Sequence, residues 1–143
     1  MKRKSDAQVY LEQVEMLDAI IKNKMIERTQ WREMALSITA NMDGERVQSG
    51  GTAKSKMADA IDKCIDMEAE IDALVDRLID TKSEIVKTIE QLYSPIEYNV
   101  LHMKYIQFKE YYEIAEKYNK EYGWATTTHG RALAHVQEIL DRK

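Results

Sequence analysis

Few side chains of this sequence are suited to binding a metal ion or catalysing a reaction. Of the three histidines, His102, His129 and His135, the last two are six residues apart and lie about 240° apart around a helix, so they share no face. The single cysteine, Cys64, excludes an internal disulfide bond, and no neighbouring base is evident that would activate its thiol. We therefore expect no metal site, no cofactor and no enzymatic activity.

Acidic side chains recur at helical spacing in the middle of the chain, at Asp62, Asp66, Asp72, Asp76 and Asp80. Hydrolytic carboxylates need a cleft that raises the pKa of one of them, and a thin pair of helices provides no cleft. We interpret these residues as a solvated face. A docking surface for a basic partner is the alternative.

The most informative stretch, residues 94–140, has a pattern that predicts three helices with a tight turn between the last two. Ser94, Pro95 and Glu97 occupy the N-cap, first and third positions of a capping box that begins the first of these helices. Asn119 tolerates the left-handed conformation that a sharp turn requires, which places the turn before the third helix. This layout is that of a helix-turn-helix DNA-binding motif.

The third predicted helix begins near Glu121, and the residues after it carry groups suited to contact with bases. A threonine hydroxyl can hydrogen-bond a base, and its methyl group can contact a thymine methyl. The candidates for base contact are Tyr122, Gly123, Trp124, Thr126 and Thr127. Covering the flank of the motif is the alternative role for Trp124. The candidates for phosphate contact, which positions such a motif without reading sequence, are Lys104, Lys109, Lys117, Lys120 and Arg131.

Two tripeptides carry a resemblance to a known family. The motif EIA at 113–115 is separated by fifteen residues from RAL at 131–133, and VLHMKYI precedes both. This pattern resembles region 4 of bacterial sigma factors and of sigma-like phage regulators. With YLEQVEMLDAIIKNK near the start, the whole chain resembles small phage proteins related to the RinA and ArpU late transcription regulators.

The resemblance implies a phage-encoded transcription regulator, acting on late genes in the cytoplasm of a bacterial host. It implies double-stranded DNA as the partner, and host RNA polymerase as a further one. The family's base-reading positions correspond to Tyr122, Gly123, Thr126 and Thr127. The chain departs from the family pattern here, because sigma factors usually have Ser or Thr at the N-cap, where this chain has Glu121. They often have Arg or Gln at the reading positions.

Two other classes of protein remain open. A small terminase subunit also combines a helix-turn-helix with an oligomerising helical part, but its DNA-binding part usually comes first in the chain, whereas here it comes last. A protein-interaction module would use the sigma-like fold to dock on host RNA polymerase or a sigma factor. Residues 95–143 carry seven basic and seven acidic side chains, and this neutrality keeps the docking alternative open.

Composition favours a helical fold. The 143 residues include one proline and five glycines, and 44% are hydrophobic, so long helices are favoured over strands. No apolar segment is long enough for a signal peptide or a membrane span, so we expect no membrane association and a cytoplasmic location. The net charge of −4 and the neutral tail predict weak DNA binding by a single copy.

The fold class that follows is all-α, with a long antiparallel, coiled-coil-like helical hairpin over residues 1–93 and the helix-turn-helix domain over 94–143. The hairpin helices are expected at about 5–39 and 53–93, with a loop at about 41–52 that contains three glycines. We expect the two helices to form an oligomerisation stalk and the tail, residues 94–143, to be the DNA-binding domain.

Apolar residues repeat every seven positions along both hairpin helices. The first helix has two such series, Ala7, Val14, Ile21, Arg28, Ala35 and Tyr10, Leu17, Lys24, Trp31, Ile38; the second has Met57, Cys64, Ile71, Leu78, Ile85, Leu92. The predicted companions on the second helix are Ile61, Val75 and Ile89, with Glu68 and Lys82 interrupting, and Ile65, Ile79 and Val86 widen the stripe. Two helices cannot bury so wide a stripe. We therefore expect a homodimer or higher homo-oligomer, in which two copies reach two half-sites.

Overall fold

The computed structural model describes residues 3–44 and 50–143, and the regular structure in those ranges is entirely helical, which confirms the all-α prediction. The helices are α1 (Asp6–Gly44), α2 (Gly50–Ile89), α3 (Pro95–Tyr105), α4 (Tyr111–Lys117) and α5 (Tyr122–Asp141). Contacts divide the chain into two compact units. Asp18–Arg77 is called here the hairpin unit, and Met1–Leu17 with Leu78–Lys143 the terminal unit. The predicted division of roles at residue 93 stays a prediction.

Helices α1 and α2 pack as an antiparallel hairpin, as the seven-residue repeat predicts. In the hairpin unit the Lys24 Nζ lies 2.8 Å from a carboxylate oxygen of Glu70, and the Cys64 Sγ lies 3.8 Å from the Arg28 carbonyl oxygen. Every residue of the three seven-residue series is buried or half-buried. The predicted core residues are among them: Val14, Leu17, Ile21, Trp31, Met57, Cys64, Ile71, Leu78, Ile85 and Leu92.

The predicted companion row on α2 is covered only in part within one copy. Ile89 is buried and Val75 and Val86 are half-buried, whereas Ile61, Ile65 and Ile79 are exposed. The two charged interruptions of the row, Glu68 and Lys82, are exposed as well. Part of the apolar stripe thus remains uncovered by the two helices, as its width predicts.

Where α2 faces α1, the residues that alternate with the Met57 series lie one position before those of the predicted companion row. Each of them is buried or half-buried: Ala60, Met67, Leu74, Thr81 and Thr88. A search for large apolar side chains overlooks Ala60, Thr81 and Thr88, which are small enough for the two helices to approach closely. The buried Thr88 hydroxyl is hydrogen-bonded. It donates to the Glu84 carbonyl at 3.1 Å and lies 2.9 Å from the Tyr10 hydroxyl.

Two predicted boundaries differ from the structure. Residues 41–44 and 50–52 of the predicted loop are helical, while 45–49 lie outside the described residues. The glycines there fall at helix ends, where the loss of a Cβ matters least. Helix α2 ends at Ile89 rather than near Tyr93. Ser94 then adopts the extended conformation of an N-cap (φ −88°, ψ 119°), which the following Pro95 favours.

Candidate nucleic-acid interface

The turn between α4 and α5 has the backbone conformation predicted at Asn119, which lies in the left-handed region with a φ of 53°. The Lys120 N–H donates to the Ala115 carbonyl at 2.9 Å, and the Asn119 N–H donates to the Glu116 carbonyl at 3.1 Å. These two bonds form a Schellman cap. Backbone bonds alone therefore close the end of α4, and the chain enters α5 within four residues.

A small apolar core joins the three tail helices. Val100 and Met103 of α3, Ile114 and Ala115 of α4, and Ala125 of α5 are all buried in it. Ala115 of α4 and Ala125 of α5 have small side chains, so they add little side-chain volume to this core. The three predicted tail helices are present, and their assignment as a sigma-like DNA-binding motif stays a prediction.

The inward face of α5 also packs on the beginning of α1 and the end of α2, inside the terminal unit. Ala132 and Val136 share a core cluster with Leu11 and Ile85. In addition, the Gln137 side-chain oxygen accepts a hydrogen bond of 2.9 Å from the Ala7 backbone N–H, in the first turn of α1. Helix α5 is thus held along one side, which fixes the direction in which its other side faces.

A buried histidine links all three tail helices. The His129 Nε2 lies 2.6 Å from the Tyr105 hydroxyl of α3, and its Nδ1 lies 3.2 Å from the Tyr111 hydroxyl of α4. A neutral imidazole has one donor and one acceptor, so it can satisfy both hydroxyl groups. His129 therefore serves as a polar connection between the three tail helices.

The surroundings of His129 favour its neutral form. Burial, and secondarily the charge of Lys104, lower its pKa to about 4. Burial also raises the pKa of the Tyr105 and Tyr111 hydroxyls. The buried position of His129 was missed from the sequence, although its helical spacing from Ala125 indicates it.

The base-contact candidates lie at the start of α5 in different environments. Tyr122, Gly123 and Thr127 are exposed, and Tyr122 contacts the Tyr111 ring edge-on at a centroid distance of 5.8 Å. Thr126 is half-buried, and its hydroxyl donates to the Gly123 carbonyl at 3.0 Å. The Thr126 hydroxyl hydrogen is therefore committed to the backbone, which leaves Thr127 as the freer of the two threonines.

Trp124 occupies the flank of the motif. It is half-buried against the core of Val100 and Ala125, and its ring lies 5.3 Å from that of Tyr118 in a tilted arrangement. Of the two roles considered for Trp124, these contacts favour covering the core over contacting a base.

The outward face of α5 is made of small residues. Gly123, Thr127, Gly130 and Ala134 are exposed and follow one another at intervals of three or four residues, which places them on one face. A Cβ added at Gly123 or Gly130 would meet no atom within 4 Å. The packing of the fold therefore does not explain either glycine.

The five candidates for phosphate contact fall into two groups. The Lys104 Nζ lies 4.4 Å from the centroid of the Tyr111 ring, and the Lys109 Nζ lies 3.6 Å from a Glu113 carboxylate oxygen. The other three, Lys117, Lys120 and Arg131, are exposed and have no ion pair among the described residues. These three cations are available for an external anion.

Two carboxylates oppose the cations. Glu110 and Glu121 are the N-cap residues of α4 and α5, and neither side chain accepts a capping hydrogen bond. Both are exposed, so a negative charge lies at the N-terminus of each of these two helices.

His135 of α5 is paired with Glu97 of α3. The His135 Nδ1 lies 2.6 Å from a Glu97 carboxylate oxygen, and this hydrogen bond raises the pKa of His135. Glu97 therefore bonds His135, while the Ser94 hydroxyl accepts the Glu97 N–H as predicted. Within residues 3–44 and 50–143, no three His, Cys, Asp or Glu side chains are grouped to hold a metal ion.

Comparison of the chain with protein families, with curated proteins and with solved structures gives no match. In the part of the chain that the structure describes, no helix contains an apolar stretch long enough to cross a membrane.

Proposed function

We propose that this chain is a phage-encoded, sigma-like transcription regulator that binds double-stranded DNA through the first half of α5. The observation that carries the proposal is the contrast between the two faces of that helix. Ala125, Ala132 and Val136 are buried against the rest of the terminal unit, whereas Gly123 and Thr127 are open to solvent. A helix that is held along one side and free along the other can enter a major groove.

The size of the outward face supports this proposal. The major groove of B-DNA is about 12 Å wide, and a helix with its side chains is about 10–12 Å across, so small residues allow a closer approach. A glycine in a helix interior costs about 0.5–1 kcal/mol relative to alanine. Gly130 carries this cost with no packing reason inside the chain, and close contact with DNA would offset it.

The charges predict that one copy binds weakly. Lys117, Lys120 and Arg131 can contact phosphates, but Glu110 and Glu121 repel them. Two linked copies bind far more tightly than one when both half-sites can be reached, because the second contact becomes intramolecular. The proposed functional species is therefore a homodimer or higher homo-oligomer in the bacterial cytoplasm. The resemblance adds late phage genes as the target and host RNA polymerase as a further partner.

Genome-wide capture of DNA bound to the chain in its host tests this function directly. Recovery of a site close to a promoter would support a regulator. A site inside a packaging gene would point instead to a small terminase subunit. The absence of any enriched DNA would contradict the proposal.

Two substitutions then distinguish contacts with bases, which determine sequence specificity, from contacts with phosphates, which do not. Thr127→Ala should weaken binding to the specific site by about 1–3 kcal/mol while leaving non-specific binding nearly unchanged. Lys120→Gln should weaken binding to all sequences alike and lower the salt dependence by about one counterion. Thr29→Ala, an exposed helical threonine of the hairpin unit, is the control. Equal loss on all sequences with Thr127→Ala would remove this residue from the reading role.

A protein-docking role is the second candidate. It is favoured by the carboxylates of Glu110 and Glu121, which accept no capping hydrogen bond from their own helices. A basic surface on RNA polymerase or a sigma factor would attract these groups, whereas DNA would repel them. Glu121→Gln therefore discriminates between the two functions. It should strengthen binding to DNA and weaken binding to a basic protein.

A further inference from the structure

One side of the hairpin unit carries an open apolar groove of about 300 Å³. Leu36 of α1 and Ile61 and Ile65 of α2 line it, with Arg32 at its edge. Leu36 is 64% exposed and Ile65 is 57% exposed. Large aliphatic side chains exposed together on one face are typical of a protein interaction site.

A second groove of the hairpin unit has a different character. Trp31 and Met34 of α1 form one part of its wall, but α2 contributes the charged side chains of Lys56, Asp59 and Lys63. Docking an apolar surface there would bury these charges. The groove of Leu36, Ile61 and Ile65 is therefore the better site for an apolar partner.

The groove side of α2 has a sequence that is complementary to itself in the reverse direction. Six exposed residues follow one another at intervals of four and three, in the order Lys54, Ala58, Ile61, Ile65, Glu68, Asp72. The centre of the row is a pair of isoleucines, and its two ends carry opposite charges. Lys54 and Asp72 have no ion pair among the described residues, whereas Glu68 lies 3.8 Å from Arg32.

We propose that this groove binds a second copy of the chain, with α2 crossing the partner's α2 in the antiparallel direction midway between Ile61 and Ile65. A two-fold axis at that point places Ile61 against the partner's Ile65. It also places Lys54 beside the partner's Asp72, twice in each dimer. Such an interface is isologous, since the same patch is used on both copies.

The charges set the direction of this crossing. A parallel crossing in register would bring Lys54 against the partner's Lys54 and Asp72 against the partner's Asp72. Like charges directly opposite one another are destabilising, and opposite charges favour the correct pairing. The antiparallel crossing is thus favoured by both ends of the row.

The area predicts a dimer of moderate affinity. The row extends for about 27 Å, because a helix rises about 1.5 Å per residue. With the residues that α1 contributes to the groove, each copy offers fewer than the roughly 20–30 residues of a standard interface. A micromolar dissociation constant is therefore expected. The proposed function requires two copies of the chain. The interface deepens that proposal, on which it rests, by showing how two copies would associate.

Sedimentation equilibrium of the full-length chain, across a concentration series, tests the apolar part of the interface. The wild-type chain should dimerise, and Ile65→Glu should be monomeric over the same range. Ile26→Glu is a matched control, since Ile26 is also 57% exposed but lies on the outer face of α1. The proposal fails if the wild type stays monomeric, or if both substitutions have the same effect. Helix content by circular dichroism checks that each variant folds.

A charge exchange tests the antiparallel register without touching the apolar residues. Lys54→Glu and Asp72→Lys should each raise the dimer dissociation constant by about tenfold, because two attractive pairs become two repulsive ones. The double variant reverses both charges, so each pair is again one of opposite charges, and it should recover the wild-type constant. Additive weakening in the double variant would overturn the proposed register.

This test requires no DNA, so its failure is distinguishable from failure of the proposed function. Dimerisation with the expected variant pattern, but without DNA recovery, would support the interface and contradict the regulator. Site-specific DNA recovery by a chain that does not dimerise through α2 would do the reverse.

Discussion

The terminal unit buries large side chains from all five helices, whereas the hairpin unit has only two helices with which to cover its apolar residues. Leu11, Ile85, Leu101 and Ile114 are fully buried in the terminal unit. In the hairpin unit the buried residues among those described are Ile21, Ala60 and Ile71. Two packed helices can shield one stripe on each, so the next rows around each helix remain in water.

The two units also expose surfaces of different kinds. The hairpin unit exposes large aliphatic side chains such as Leu36 and Ile65, and such groups gain most from contact with other apolar groups. The open face of α5 in the terminal unit instead carries glycine and threonine, and Arg131 of the same helix is exposed. That composition suits a polar, closely approached ligand. The proposed protein contact thus lies in the hairpin unit, and the proposed DNA contact lies in the terminal unit.

The sharpest test of this comparison removes the same side chain from each unit. Leu11→Ala should lower the free energy of unfolding by about 2–5 kcal/mol, because Leu11 is 0% exposed and its removal leaves a cavity. Leu36→Ala, on the same helix, should change it by no more than about 0.5 kcal/mol. Urea denaturation at a concentration where the chain is monomeric measures both. Equal losses would mean that Leu36 is covered within one copy.

A pH titration tests the polar centre of the terminal unit. The pKa of His129 is lowered to about 4 in the folded chain, below the value near 6.5 expected when the chain is unfolded. The folded state therefore binds fewer protons, and the stability that His129 contributes above pH 6.5 is lost as the pH falls towards 4. The pKa of His135 is raised, so its small contribution is lost as the pH rises. NMR titration should show midpoints on opposite sides of 6.5, and a His129 midpoint above 6 would contradict its burial.

The sequence was most informative where one signal dominates. The seven-residue repeat predicted the hairpin seam, and Asn119 predicted the left-handed turn, because each depends on a strong local preference. The second row of α2 could not be read in the same way. Alanine and threonine pack in that row as well as larger residues would, and no hydropathy count separates them from solvated positions.

Tertiary contacts explain what local patterns could not predict about the tail. Lys104, a phosphate candidate by charge, lies over the Tyr111 ring, and the Thr126 hydroxyl donates to the Gly123 carbonyl. The positive φ of 59° at Phe108 was also not foreseen, since phenylalanine has no preference for that region. These features depend on which residues the fold brings together, and sequence spacing does not encode them.

A tyrosine pair measures the contribution of the hydrogen bonds around His129. Tyr105→Phe removes the hydroxyl 2.6 Å from the His129 Nε2 and leaves a buried imidazole nitrogen without its partner. We expect a loss of about 1–3 kcal/mol in the free energy of unfolding. Tyr112→Phe removes an exposed hydroxyl from the same unit and should change stability by less than about 0.5 kcal/mol. Thermal unfolding of both variants at pH 7 gives the difference, and similar values would exclude a structural role for the Tyr105 bond.

The glycines of α5 give the smallest predicted change in stability and the most direct link between the open face and function. Gly130→Ala should raise the free energy of unfolding by about 0.5–1 kcal/mol, since alanine favours the helix and its Cβ has room. Gly123→Ala should act in the same direction, less strongly, because it lies in the first turn. If the face meets DNA closely, both variants should nevertheless bind DNA more weakly, and Gly130→Leu should bind more weakly still. Ala19→Leu, on an exposed position of the outer face of α1, is the control for added bulk alone. If the stabilised variants keep full DNA affinity, the contact with DNA does not lie on this face of α5. The proposed DNA-binding role of that face would then be wrong.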